Sequence, residues 1–285
     1  KETIMNRIKS VFISLYSMGA IITCLHALVQ LFITGIGSAW LGAFIATLPA
    51  AVFFSRVLII KDLARTSNNL PIFFILGFMG LGLTLIVPTQ SIVPVVYAAL
   101  FGAIGSLLYV FWYSRIDRSG SKIQVGKALP DFTLYSSENG AAFESSTLRQ
   151  QPALLLFFRG NWCPLCMAQI KEIAASYQEL NKRGVKVFLV SPQSEKHSQN
   201  LAKQFDAPMK FMVDKNLQAA QQLGLVHENG TPMGMMGYKS DTVMPTAILT
   251  DEKGQVIFAD LTDNYRVRPE PQTFIDMLDK HLANA

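Results

Sequence analysis

Long apolar runs fill the first 114 residues of the chain. Four of them, each roughly 18–24 residues long, are separated by short polar segments. A helix rises 1.5 Å per residue, so a run of this length can cross a hydrocarbon core about 30 Å thick. The pattern predicts an all-α transmembrane domain over residues 1–114, with four helices at about 11–34, 36–54, 71–88 and 92–113.

The first run follows basic residues, as the apolar core of a signal peptide does. Its apolar part is too long for a signal peptide, however, and three further runs follow it, so we interpret it as a retained anchor. The second run is the least secure of the four predicted spans, because Pro49 lies inside it and Arg56 closes it early.

Basic residues occupy alternate loops of this first half. They stand at positions 1, 7 and 9, between 56 and 65, and between 115 and 127, whereas the connections 35–39 and 89–91 carry no charge. By the positive-inside rule, the N-terminus, the middle loop and the C-terminal half are expected on the cytoplasmic side of the cell (inner) membrane, with the lipid bilayer as a partner. If one span failed to cross, the C-terminal half would change sides.

Composition narrows the class of protein further. Half of the chain is hydrophobic and only 16% is charged, against about 25% in soluble domains. Residues 1–120 contain eight Lys and Arg and three acidic residues, whereas residues 121–285 contain 17 basic and 17 acidic residues. The whole net charge of +5 therefore lies in the first half, between the apolar runs. A nucleic-acid footprint needs a basic face on a folded domain, so no nucleic-acid partner is expected.

The second half reads as a different domain. A polar, basic stretch over 115–126 suits a linker, and strand-like and helix-like runs then alternate over 127–285. Parallel βαβ units followed by a hairpin and a terminal helix indicate an α/β domain with a mixed sheet. The predicted strands are 153–158, 185–190, 210–213, 246–250 and 255–259, and the predicted helices are 164–182, 195–205, 215–223 and 269–282.

The candidate chemistry follows the first long strand of this domain, where Cys163 and Cys166 form a CxxC pair. Unpaired N–H groups at a helix N-terminus favour an anion, which lowers the pKa of a thiol placed there and makes it a nucleophile. Pro164 suits the first helical turn. Zinc would need further ligands, and the chain has no second Cys pair or paired His, so no metal and no cofactor beyond a Cys163–Cys166 disulfide is expected.

The spans offer two other candidate residues. Cys24 is alone, and a membrane thiol relay needs two cysteines, so we interpret it as a small buried hydrophobic residue. His26 has no second histidine to hold a haem with it. We interpret it as a helix-contact residue, although a histidine inside a membrane is a functional candidate by default.

Around the CxxC pair the chain resembles the thioredoxin superfamily, and within it the alkyl hydroperoxide reductase/thiol-specific antioxidant (peroxiredoxin-like) branch. The resemblance covers roughly residues 124–284. It rests on the segments GKALPDFTL from Gly126, FFRGNWCPLC from Phe157, MPT from Met244, the hairpin TDEKGQV, and DNYRVRPEP from Asp263. It implies a thioredoxin-like, peroxiredoxin-like fold, thiol redox activity, a thiol or thioredoxin-type electron donor, and pairing into a homodimer.

The sequence departs from the peroxiredoxin pattern at two places. Cys166 matches the peroxidatic cysteine, but Cys163 stands where that pattern has Thr. Pro245 stands where it has Arg, and matches instead the cis-proline that faces the CxxC pair in thioredoxin-like proteins. The resemblance therefore implies a peroxiredoxin-like frame that holds a thioredoxin-like pair.

Three functions remain open on these residues. The first is peroxide reduction, in which a thiolate becomes sulfenic acid and condenses to a disulfide, with Arg159 as the electrostatic helper. The second is reduction of protein disulfides, with Cys163 attacking and Cys166 resolving. The third is a membrane-bound redox sensor.

The first nucleophile is open, and we favour Cys163 because it lies at the helix terminus. Trp162, Pro164 and Pro245 are expected to shape the site. The Met-rich loop 228–244 suggests either ordinary packing, a hydrophobic lip for lipid peroxide or a protein partner, or a copper(I) site.

Overall fold

The computed structural model describes residues 2–283, which form two compact units. The helical unit is built on the residues up to Arg115, apart from a short piece of the middle loop, and the α/β unit on the residues from Ile116 onward, apart from Pro232–Gly234. Lys1, which was counted among the basic residues, and positions 284 and 285 of the predicted redox domain lie outside the described residues.

The helical unit contains four apolar helices, whose bounds differ from the predicted spans at the ends. They are α1 (Glu2–Thr34), α2 (Ala39–Ser55, continued as a π-helix over Arg56–Ile60), α3 (Pro71–Ile86) and α4 (Val93–Tyr113, which mixes α- and π-helical turns). Three of them are long and apolar enough to cross a membrane. The third, α3, has 16 residues and is the shortest, whereas the sequence pointed to the second as the least secure.

Small residues let these helices approach each other closely. A Cβ atom on Gly42 of α2 would lie 2.6 Å from the carbonyl oxygen of Gly80 in α3, and one on Gly102 of α4 would lie 2.7 Å from Cβ of Ala46. Real Cβ atoms essentially never approach so closely. Backbone-to-backbone packing through small residues is typical of helices in membranes.

The two candidate residues of the spans have ordinary surroundings. His26 Nδ1 lies 3.0 Å from the Tyr97 hydroxyl, and its Nε2 lies 3.3 Å from the Gln30 amide nitrogen. The Trp40 ring packs edge-on against His26 at 5.3 Å. Cys24 is buried and not in a disulfide. This geometry agrees with His26 as a helix-contact residue.

The α/β unit is built on one mixed seven-stranded sheet. Its strands, in sheet order, are β2 (Ala142–Glu144), β1 (Thr133–Ser136), β5 (Lys210–Val213), β4 (Lys186–Ser191), β3 (Ala153–Phe157), β8 (Thr246–Thr250) and β9 (Val256–Ala259). Strands β3, β4 and β5 are parallel, and the others pair antiparallel. A separate two-stranded sheet pairs β6 (Val226–His227) with β7 (Thr242–Val243). The patterns did not predict β1, β2, β6 and β7, which are only two to four residues long.

The helices of this unit begin close to the predicted positions. They are α5 (Pro164–Ala175), α6 (Tyr177–Lys182), α7 (Glu195–Ala202), α8 (Gln218–Leu223) and α9 (Pro271–Ala283). The predicted single helix over 164–182 is broken at Ser176, whose φ of −95° and ψ of 5° lie outside the helical region. The apolar stripe continues across this break, so the pattern alone could not reveal it.

The central strands carry the core of the α/β unit. All five residues of β3 are buried, and so are the last five of β4, as continuous apolar runs in a parallel sheet require. The segment predicted as a linker also lies against this unit. The backbone N–H of Ile116 donates to the carbonyl oxygen of Asp263 at 2.7 Å, and that of Lys122 to Leu223 at 3.0 Å.

Candidate active site

The CxxC pair lies at the junction between strand β3 and helix α5. Cys163 is the N-cap of α5, Pro164 is its first residue and Cys166 its third. Both cysteines are free thiols. They are almost completely shielded from solvent, with 2% of Cys163 and 0% of Cys166 exposed. The Cys163 side chain forms no capping hydrogen bond, so this position does not give its sulfur the support from helix N–H groups that its place at the terminus suggested.

A buried arginine from the segment before α9 contacts both sulfurs. Arg268 Nη1 and Nη2 each lie 3.5 Å from Cys166 Sγ, and Nη2 lies 4.0 Å from Cys163 Sγ. Nη1 also donates to Gln169 Oε1 at 3.0 Å, and Nε donates to the carbonyl oxygen of Tyr265 at 2.9 Å. These two bonds fix the plane of the guanidinium, so that both of its terminal nitrogens contact Cys166 Sγ.

Burial and hydrogen bonding separate the two thiols. Burial is the largest influence on both and raises the pKa of each. For Cys163 it is reinforced by the hydrogen bond with Cys166, and the pKa rises well above the usual range for a thiol. For Cys166 the opposing effects win, since its sulfur accepts from Cys163, from the backbone N–H of Arg159 and from Arg268, whose charge also attracts the thiolate, so its pKa is lowered. Cys166 is therefore the ionised sulfur of the pair.

Arg159, the predicted electrostatic helper, is buried rather than a surface residue, with 5% exposed. Its Nη2 donates to the carbonyl oxygen of Gly230, and its guanidinium lies 4.6 Å from the ring centroid of Trp162 and 5.6 Å from that of Tyr265. Its positive charge favours ionisation of Cys163, as a minor influence on that pKa. The Arg159 guanidinium thus packs against Trp162 and affects the pair through its charge. Its backbone N–H donates a hydrogen bond to the Cys166 sulfur.

Gly160 permits the aromatic wall beside the pair. Its φ is +146°, and a Cβ atom there would lie 2.8 Å from Trp162 Nε1 and 3.3 Å from Tyr238 Cε1. Only glycine fits both the backbone conformation and the space. Trp162 and Tyr238 therefore both lie against the side of Gly160 from which a side chain would project.

The implied cis peptide bond at Pro245 is wrong, because no cis bond occurs anywhere between residues 2 and 283. The trans form is the ordinary one even before proline, by about 0.5–1 kcal/mol, and a match at one position does not specify the isomer. The carbonyl oxygen of Pro245 accepts a hydrogen bond from Arg118 Nη2 at 2.6 Å, and Arg118 Nη1 donates to Thr246 Oγ1 at 2.7 Å. Pro245 is thereby tied to the segment that was predicted to be a linker.

Arg268 is the site residue that sequence reasoning missed. It lies 102 positions after Cys166, in the segment from Asp263 that was noted only as part of the resemblance. Its local signal is a pair of arginines, Arg266 and Arg268, between Tyr265 and Pro269 just before a helix, and the sequence does not distinguish the two.

Within the described residues, no group of three or more His, Cys, Asp or Glu side chains could hold a metal ion. In the Met-rich loop, Met236 is 92% exposed, whereas Met244 is buried.

Comparison with known proteins finds relatives of the α/β unit. Residues 125–259 match the AhpC/TSA family. A putative peroxiredoxin bcp of Coxiella burnetii is 26% identical over 134 residues, which cover 47% of this chain and 85% of that protein. A putative peroxiredoxin bcp of Haemophilus influenzae is 26% identical over 157 residues, which cover 55% of this chain and 96% of that protein. Among solved structures, the peroxidoxin BcpB of Mycobacterium tuberculosis is similar to the chain with a TM-score of 0.45 and 18% identity, covering 55% of this chain and 97% of that one.

The α/β unit is thus a peroxiredoxin-like domain of the thioredoxin superfamily. Its class is that of thiol-dependent oxidoreductases, as the resemblance implied.

Proposed function

We propose that this protein is a membrane-anchored thiol peroxidase in which Cys166 attacks the peroxide and Cys163 resolves the product. The observation that carries the proposal is the contact of Arg268 Nη1 and Nη2 with Cys166 Sγ, each at 3.5 Å. A thiolate is the nucleophilic form of cysteine, and a guanidinium fixed beside it keeps it ionised at neutral pH. The sequence-based preference for Cys163 as first nucleophile is replaced here, because its thiol is the one that burial keeps protonated.

The chemistry follows from these two protonation states. The Cys166 thiolate attacks one oxygen of the peroxide, the O–O bond breaks, and the products are Cys166 sulfenic acid and an alkoxide or hydroxide that takes up a proton. Arg268 is placed to stabilise that leaving oxygen. The Cys163 thiol then attacks the sulfenic sulfur and releases water, which leaves a Cys163–Cys166 disulfide.

Burial of the pair favours a small oxidant over a protein disulfide. A thiolate that attacks a disulfide must bring three sulfur atoms together, and neither Cys163 nor Cys166 offers an exposed sulfur to a folded partner. A peroxide group can enter where a protein surface cannot. The relatives named above are described as peroxiredoxins, which supports the same choice.

Oxidation of single-cysteine variants tests this assignment. The reduced full-length protein, Cys163→Ser and Cys166→Ser are mixed with hydrogen peroxide or a small protein disulfide, and the rate of thiol loss is measured. We expect the wild type to react with peroxide far faster than free cysteine, Cys163→Ser to keep that rate and to accumulate a trappable sulfenic acid, and Cys166→Ser to react no faster than free cysteine.

The other outcomes distinguish the alternatives. Rapid exchange with the protein disulfide through Cys163, together with slow peroxide oxidation, would identify a thioredoxin-like reductase instead. If both reactions were slow, a redox sensor would be favoured. Cys24, which is retained in all three proteins, serves as an internal reference for the thiol count.

Membrane anchoring is the second part of the proposal. The helical unit leaves large apolar side chains uncovered, among them Phe32, Ile33 and Ile59 at 82%, 71% and 77% exposure, and such a surface suits lipid. Helix α3 is short for a span, but a bilayer can thin around a short helix at a modest free-energy cost.

Four crossings would place the redox domain on the cytoplasmic side, by the distribution of basic residues. A reporter fused after the last residue, active only in the cytoplasm or only outside it, tests that orientation. A signal from outside would indicate that one apolar helix does not cross.

A further inference from the structure

A cavity of about 540 Å³ opens beside the active site. Its walls include Arg159, Trp162, Gln193, Lys215, Tyr238 and Lys239. Cavities of this size hold small organic molecules. Neither cysteine lines the cavity, but Trp162, which does, directly precedes Cys163 in the chain, and the charge of Arg159 acts on the Cys163 thiol. A molecule held in the cavity would therefore be separated from the redox pair by the Trp162 side chain.

The cavity has an excess of positive charge. Four cations line it, namely Arg159, Lys196, Lys215 and Lys239, against the carboxylates of Glu195 and Asp241. Lys215 and Glu195 pair with each other at 3.1 Å. The Asp241 carboxylate accepts a hydrogen bond from the backbone N–H of Asn229 at 2.8 Å. An anion is therefore the kind of ligand that these walls favour.

An unsatisfied donor adds to this preference. The indole nitrogen of Trp162 is buried and has no hydrogen-bond partner within the described residues. Buried N–H groups nearly always have a partner, and one without a partner calls for an explanation. Trp162 also lines the cavity, so a carboxylate bound there is a candidate acceptor for this nitrogen.

Regeneration of the enzyme requires a reductant that can reach a buried disulfide. Resting on the proposed peroxidase function, the oxidised enzyme carries the Cys163–Cys166 bond, and neither sulfur was exposed before it formed. A folded dithiol protein would need the site to open before it could attack. A small thiol bound in the cavity needs only a local displacement at Trp162 to reach Cys163.

We propose that this cavity binds an anionic low-molecular-weight thiol, the electron donor that returns the disulfide to the thiol form. The donor thiolate attacks Cys163 Sγ, forms a mixed disulfide there and releases Cys166 as a thiolate. Cys166 is the leaving sulfur because Arg268 stabilises its anion, and the thiol that ionises more readily leaves faster. A second donor thiolate attacks the donor sulfur of the mixed disulfide, so two donor thiols become one disulfide and Cys163 becomes a thiolate that takes up a proton.

Charge-matched thiols test the proposal on the full-length protein in detergent. The disulfide is formed with peroxide, or with diamide if peroxide does not oxidise the pair, so the test stands even if the peroxidase proposal fails. Reduction by 3-mercaptopropionate, 2-mercaptoethanol or cysteamine is stopped with acid, and the free thiols are alkylated after denaturation and counted by mass. The rate of each thiol is taken per thiolate present and divided by its rate with a small neutral disulfide, because a thiolate's intrinsic nucleophilicity also rises with the pKa of its thiol.

We expect 3-mercaptopropionate to be about tenfold faster than cysteamine at low salt, since two surplus charges attract one anion and repel a cation. The advantage should shrink as salt is added. The double variant Lys215→Gln, Lys239→Gln should lose most of it, whereas Lys253→Gln, an exposed lysine in the β8–β9 turn, should keep it.

Two results would overturn the inference. One is equal rates for the three thiols, or an advantage that the double variant retains. The other is reduction by a thioredoxin that is faster, at equal thiolate concentration, than reduction by any small thiol. If the double variant instead slowed peroxide oxidation and left reduction unchanged, the cavity would serve an anionic hydroperoxide and the donor proposal would also fail.

Discussion

Each unit of the molecule holds a small polar cluster, and the two clusters differ in charge. In the helical unit, His26 has a hydrogen-bond partner at each ring nitrogen, and its partners Tyr97 and Gln30 are neutral side chains. In the α/β unit, the guanidinium of Arg268 is buried against two thiols and a neutral amide. A cluster of neutral groups can satisfy itself completely. A buried cation needs an anion nearby. The Asp260 carboxylate interacts with Arg268 without a hydrogen bond between them, and of the side chains that the guanidinium contacts, only a thiol that gives up its proton can supply a negative charge.

This difference explains why one cluster is expected to react and the other is not. The charge on Arg268 and the ionisation of Cys166 stabilise each other, since the thiolate also raises the pKa of the guanidinium against the effect of burial. The buried charge of Arg268 thus keeps Cys166 in its nucleophilic thiolate form. The hydrogen bonds of His26 join it to the uncharged side chains of Tyr97 and Gln30, and the bond to Tyr97 links helices α1 and α4.

Removing the charge of Arg268 should produce the largest effect. In Arg268→Met we expect the pKa of Cys166 to rise toward the free-thiol value of about 8.5, which leaves a few per cent thiolate at pH 7 and slows peroxide oxidation about thirtyfold. Wild-type Cys166 should be ionised throughout the neutral range and lose its reactivity only as pH falls through its lowered pKa. The variant should instead recover as pH rises through about 8.5.

The pH–rate profile of single-turnover oxidation, with thiolate absorbance near 240 nm, measures this shift. Arg268→Lys is the matched variant, because it keeps a charge but not the two-armed contact, and we expect an intermediate profile. A uniform loss of rate at every pH, with an unchanged profile, would mean that Arg268 only supports the structure.

A smaller effect is expected from the packing of the helical unit. Gly80→Ala places a methyl group against Gly42 and Ala46, and overpacking of this kind costs about 1–3 kcal/mol. Gly82, two residues further along α3, has nothing within 4 Å of its Cβ position, so Gly82→Ala is the matched control and should be neutral or slightly stabilising. Thermal unfolding of the full-length protein in detergent compares the two. Equal stability of the variants would contradict the close contact between α2 and α3.

The smallest effect concerns His26 itself. In His26→Phe we expect a loss of about 1 kcal/mol of stability from two hydrogen bonds, each worth roughly 0.6 kcal/mol in a membrane protein. Tyr97→Phe removes only one of the two bonds and should lose about half as much. The peroxide oxidation rate should remain at the wild-type value in both, as measured by stopped flow. A clear fall in that rate would give the helical cluster a part in the redox chemistry and remove the contrast drawn above.

The sequence carried the local features of the redox domain well. The run of apolar residues before Arg159 predicted strand β3, and the CxxC pair and Pro164 predicted the start of helix α5 at the position where the structure has it. The β8–β9 hairpin followed from the turn residues between its strands. Such features depend on residues close together in the chain, where periodicity and turn chemistry act directly.

The features that depend on distant residues could not be predicted. Arg268 meets Cys166 only because the sheet and helix α9 bring the two together, and no pattern near either residue specifies that contact. The same holds for Pro245, whose role was assigned by matching one position to a family, and whose peptide bond is trans. The choice of first nucleophile depends on the contacts of Arg268, which favour Cys166. The helix terminus, which was the only feature visible in the sequence, favoured Cys163.

The shielding of Cys166 also determines how the protein would be noticed in a cell. Surveys of reactive cysteines label proteomes with maleimide or biotin reagents and rank sites by the extent of labelling. A sulfur that is ionised at neutral pH but has no exposed surface would rank low with such bulky labels and high with an oxidant of two or three atoms. Discordance between the two rankings would therefore be the mark of this site among the many cysteines of a cell extract.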